Sequence, residues 1–145
     1  MKNKGFTLLE LLIVVVILGI LSLIASAYLF DAADKAKDSV VKANINAASS
    51  TVLTQMTVED KTANNAIEDS LLSLNDPDGV ADSGDEVVSP YDTDLEAFLE
   101  GDTGDVGQVA LSASGELTVI MRGYGKNGAS DDPIGVKTIS TPESE

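Results

Sequence analysis

Residues 5–25, GFTLLELLIVVVILGILSLIA, decide how the rest of this 145-residue chain is read. They open an apolar run over residues 6–30 that contains a single charged side chain, Glu10. A carboxylate well inside a hydrocarbon layer costs roughly 2.5–3.5 kcal/mol even on lenient insertion scales. A segment that keeps one usually has a use for it. A run of about 25 largely apolar residues is long enough to cross a bilayer as a helix. Lys2 and Lys4 ahead of it predict a cytoplasmic N-terminus.

Three readings of this run are open on the residues alone. It is a permanent anchor for an outward-facing domain, or it is a cleaved secretory signal, for which Ala25-Ser26-Ala27 offers a small-residue cleavage site. Against the second, the stretch from Phe6 to Ile24 exceeds the roughly 7–15 residues of a signal h-region and carries Glu10. The third reading uses Gly5 and Glu10 together. Lys4-Gly5-Phe6-Thr7-Leu8-Leu9-Glu10, followed by LLIVVVILGI over residues 11–20, resembles the N-terminus of type IV pilins and type II secretion pseudopilins.

That resemblance implies cleavage by a prepilin peptidase between Gly5 and Phe6, methylation of the new N-terminal Phe6, and departure of the helix from the membrane into a filament core. It implies a homopolymer, raised by an inner-membrane assembly machinery from a single-pass membrane precursor and displayed as an extracellular pilus serving adhesion, motility or secretion. Within the family, the alternative is a pseudopilin of a secretion or DNA-uptake system, forming a periplasmic or cell-wall pseudopilus. From a different class, the alternative is a non-polymerising secreted or membrane-anchored binding domain. Once cleaved, Phe6 carries an α-amino group that is positive at neutral pH, and a carboxylate four residues on lies on the same helix face. Glu10 can therefore neutralise its own terminus; the resemblance implies that it does so for the neighbouring subunit, which makes it an assembly residue. Many relatives have a proline where this chain has Ala27, and a C-terminal cysteine pair that is missing here. Gly19, Ser22 and Ser26 are then the expected soft points of the helix.

Composition narrows the chemistry. The chain has no Cys and no His, which removes disulfides, thiol nucleophiles, thiolate or imidazole metal sites and imidazole acid–base catalysis. Of 24 acidic and 9 basic residues, Glu10, Lys2 and Lys4 lie before residue 31, so the remainder holds 23 acids against 7 cations. Such a surface repels phosphate backbones, and no direct nucleic-acid partner is expected.

The expected organisation is a leader at 1–5, a hydrophobic transmembrane and filament-core helix at 6–30, its amphipathic continuation at 31–58, and an acidic head at 59–145. Val41, Ile45, Ala48, Val52 and Met56 recur at helical spacing as one apolar stripe that needs cover. TANNAIEDSLLSL reads as a short helix, and residues 92–100 as another, with Asp92 or Thr93 at its start and Gly101 past its end. Val109, Leu111 and Ala113, with Leu117, Val119 and Met121, alternate onto one face of a hairpin, and IGVKTIS is a third strand. The predicted class is α+β: a long N-terminal helix on a small antiparallel sheet.

For chemistry in the head, the acidic loop is the best source. Asp76, Asp78, Asp82, Asp85 and Glu86 are candidate ligands for Ca²⁺, the one cofactor considered, although their spacing fails the EF-hand pattern. The alternative is a solvated loop whose Asp and Gly residues serve turns. Asp131-Asp132 is a weaker pair. A carboxylate couple for glycoside hydrolysis lacks an aromatic sugar platform, the chain having no Trp and three Tyr. The glycines of MRGYGKNG match no phosphate-loop order and read as a turn. The expectation is a structural subunit and not an enzyme.

Overall fold

The computed structural model describes residues 5–79, 84 and 86–141. The chain divides into two compact units, Met1–Lys35 and Ala36–Glu145. Helix α1, Leu8–Val58, contributes to both. It is followed by α2 (Ala63–Asn75), β1 (Phe98–Glu100), β2 (Val109–Ala113), β3 (Thr118–Gly123), a 3-10 turn at Gly128–Ser130, and β4 (Gly135–Ser140).

In the first unit the helix passes through Gly19 without interruption. The two serines expected to soften it bond back to its own backbone: Ser22 Oγ donates to Leu18 O and Ser26 Oγ to Leu23 O, each at 2.8 Å. Neither hydroxyl is left unpaired on an apolar surface, the condition a lipid-facing helix must meet.

The second unit is an α+β head. Its sheet has the order β1-β2-β3-β4, with β2–β3 and β3–β4 antiparallel and β1 parallel to β2. The predicted stripe Val41, Ile45, Ala48, Val52 and Met56 is buried, and it joins one apolar cluster with Ile67 of α2 and Val109, Leu111, Val119 and Met121 of the sheet. Leu117, placed in a strand by its alternation, lies just ahead of β3. Two glycines let α1 approach. Gly123 and Gly135 face each other across β3 and β4. A Cβ on Gly123 would stand 2.7 Å from both Val41 Cγ1 and Ile45 Cδ1, and one on Gly135 2.8 Å from Ile45 Cδ1.

Residues 92–100 do not form the expected helix. Asp92 Oδ1 accepts the Asp94 N–H at 3.0 Å, and Leu95 N–H reaches Asp92 O at 3.2 Å, so the capping residues close one turn only. Nine residues cannot sustain a helix without tertiary support. Here that support goes to a strand, because Phe98 is buried and aligned with Val109. The added strand is what makes the predicted antiparallel sheet a mixed one.

The outer edge of β1 is closed by a side chain. Asn75, the last residue of α2, accepts the Phe98 N–H at 3.1 Å and donates to Phe98 O at 2.9 Å. It thereby imitates a neighbouring strand for one residue. Next along, Ala97 N–H donates to Val87 O at 2.9 Å. Asn75→Ala leaves both backbone groups of a buried residue unpaired, and we expect a loss of about 2–3 kcal/mol. The check is a lowered urea midpoint at unchanged slope; an unchanged midpoint would show that water substitutes for the amide.

Two further ties fasten the head. Lys61 bonds Gln55 Oε1 at 2.6 Å, Glu59 at 2.5 Å and Asp69 at 2.8 Å, joining the end of α1 to α2. Hydrogen bonds from Asp69 and then Glu59 raise its ammonium above the ordinary lysine range. Tyr91 Oη donates to Asp38 Oδ1 at 2.7 Å, and Lys37 Nζ lies 4.9 Å from the ring centroid, pinning the loop before β1 onto α1.

Candidate functional site

The site begins where α1 begins. Helix starts at Leu8, so Thr7 is the N-cap and Glu10 the third helical residue. Glu10 Oε2 accepts the Thr7 N–H at 2.9 Å and the Thr7 hydroxyl at 2.8 Å, while the Glu10 N–H donates to Thr7 Oγ1 at 3.2 Å. This is a reciprocal capping box. The first N–H groups of a helix have no partner within it, and an unpaired one in hydrocarbon costs several kcal/mol. A carboxylate also complements the positive end of the helix dipole. Glu10 therefore has a local task in a single chain, whatever it does between chains. The signal was present as Thr7-x-x-Glu10 ahead of an apolar run; sequence reasoning set it aside for the pairing with Phe6.

Phe6 is 77 % exposed, and a Cβ built on Gly5 would meet nothing within 4 Å. Beyond the cap, the Leu, Ile, Val and aromatic residues from Leu8 to Phe30 are exposed on every side of the helix. A helix apolar all round belongs in a membrane or inside an assembly. This one is long and apolar enough to cross a membrane.

The comparison with protein families matches residues 1–26 to the prokaryotic N-terminal methylation motif. The chain bears a prepilin signal. That signal marks a precursor of the type IV pilin or pseudopilin kind, implying processing by prepilin peptidase and assembly into a pilus-type filament. It points to a structural protein, and the apolar helix behind it fits a membrane-anchored precursor. No curated protein and no solved structure matched the chain. The match ends within the apolar run, so the prepilin signal says nothing of the head.

The residues proposed for calcium are only partly within view. Asp82 and Asp85 lie outside the described residues. Asp76 Oδ1 accepts the Gly79 N–H at 2.9 Å and Glu86 Oε2 the Gly84 N–H at 3.1 Å, the turn-building use of such side chains. Among the described residues no three acidic groups converge as a metal site. Asp131 accepts Asn127 Nδ2 at 2.6 Å. The MRGYGKNG segment is the end of β3 and a turn, with Gly128 at φ +58°, as its glycines suggested.

Proposed function

We propose that this chain is the structural subunit of a type IV pilus-like extracellular filament, cleaved between Gly5 and Phe6, methylated on Phe6, and polymerised by packing residues 6–30 of many copies into a core. The observation that carries this is a capped helix, apolar on every side, directly behind a prepilin signal. In one copy that surface has no cover. Membrane lipid covers it before assembly and other copies cover it afterwards. The open space around Gly5 supports the reading as well: nothing in the fold demands glycine there, which leaves the demand to the peptidase.

The same packing brings the Phe6 ammonium of one copy near the Glu10 of another. An ion pair in an apolar interior forms only in good geometry, so this pair sets the axial register between subunits. The test is the intact mass and N-terminal residue of protein recovered from cells that assemble it. A chain starting at Phe6 with one extra methyl is expected. A chain starting at Tyr28, past Ala25-Ser26-Ala27, would make the run an ordinary secretory signal. An uncut Met1 in a host containing the peptidase would make it an anchor.

A further inference from the structure

The head's charge is segregated across its sheet. At the β1 edge, α2 and residues 86–88 enclose a groove of about 700 Å³ lined by Glu68, Asp69, Asp76, Glu86 and Glu96, with Leu72 and Val88 among its apolar residues. Leu72 is 71 % exposed and Val88 38 %. Of the five carboxylates, only Asp69 pairs with a lysine or arginine among the described residues. The opposite edge has the reverse character. No Asp or Glu occurs in residues 39–58 of α1 or in residues 135–141, although the chain carries 24 acids. Lys42 and Lys137 are exposed there, Lys137 Nζ lying 3.4 Å from Asn46 Oδ1 of α1. Val136 of β4 is 58 % exposed beside them. The acidic pair Asp131-Asp132 precedes β4 and stands apart from its middle.

Because β1 and β4 are the two outer strands, the acidic groove and the basic edge point to opposite sides of one head. A molecule of formal charge −15 repels its copies unless unlike patches are matched. We propose that the groove takes the β4 edge of a second copy, Leu72 and Val88 receiving Val136, and Glu68 and Glu86 facing Lys137 and Lys42. The contact rests on the filament reading above and adds to it a second joint, between heads. It is heterologous: each head offers a socket on one side and a plug on the other. Such a contact continues from copy to copy and generates a helical array unless its rotation closes a ring. Apolar contact supplies adhesion, and charge selects the partner and the register.

The absence of cysteine makes the test direct. In full-length protein within filaments, Leu72→Cys with Val136→Cys brings two thiols into disulfide range if these surfaces meet. Mild oxidation then gives a ladder of covalent multimers, whereas either single variant stays monomeric. As a second measurement, K42E/K137E lowers the yield of sheared filaments about fivefold at low salt, and adding E68K/E86K restores it to within about twofold. Abundant filaments with no ladder, and charge variants that behave as wild type, overturn the contact and leave the filament reading standing. Wild-type cells with no filaments at all overturn both.

Discussion

Glu10→Ala is expected to abolish filaments while leaving a cleaved, membrane-inserted subunit. In the variant the Phe6 ammonium keeps its charge and loses its counter-charge, and a buried charge stripped of its partner costs about 3–5 kcal/mol. Each 1.4 kcal/mol is about tenfold in an equilibrium constant, so sheared-filament yield should fall by a hundredfold or more. Glu10 also closes the cap on α1 with Thr7, and the two roles separate by a second substitution. Thr7→Val removes the hydroxyl half of the cap and keeps the carboxylate, at a cost of about 1 kcal/mol; a fall of tenfold or less is expected. Filament yield at the wild-type level for Glu10→Ala would sink the assembly role. Equal losses for both variants would mean that the cap is what assembly needs.

The largest effect on the head is expected at Gly123. A β-carbon there would sit 2.7 Å from Val41 Cγ1 and Ile45 Cδ1, inside contact distance of two buried side chains on a helix with no room to withdraw from the sheet. Gly123→Val must push α1 away from β3 and β4, a change in the overpacking class that costs about 3 kcal/mol. For a domain of about 100 residues this lowers the midpoint of thermal unfolding by roughly 12–20 °C. The full chain in detergent, followed by near-UV circular dichroism, reports it. Partial recovery in Gly123→Val with Ile45→Ala, beyond the sum of the two singles, would identify the clash as the cause; a midpoint within 2–3 °C of wild type, about 0.5 kcal/mol, would show that the helix yields freely.

Much of this was legible because the signals were local. Residues 6–30 repeat one kind of side chain without a turn residue, so a helix apolar all round was the only regular solution. Val41, Ile45, Ala48, Val52 and Met56 carried their burial in their spacing. The hairpin and β4 carried theirs in alternation and in the glycines and polar residues between. Residues 92–100 failed because their local signal, an Asp-rich start and a Gly stop, is shared by a helix and by a turn that feeds a strand; burial of Phe98 and its alignment with Val109 decide between them. The role of Asn75 had no signal at all. An asparagine at a helix end reads as a cap until the edge of β1 is placed beside it.

The sequence by itself determined the N-terminal signal, the all-round apolar helix, the Thr7–Glu10 cap, the buried stripe of α1 and the α+β class. Each of these lies within a few turns of one segment, where periodicity and capping act. Only the tertiary structure decided that β1 joins the sheet in parallel, that Gly123 and Gly135 form one seat for Val41 and Ile45, and that the acidic groove and the Lys42–Lys137 edge fall on opposite sides of the head. Those facts depend on which distant residues become neighbours, and contacts between distant residues leave no period along the chain.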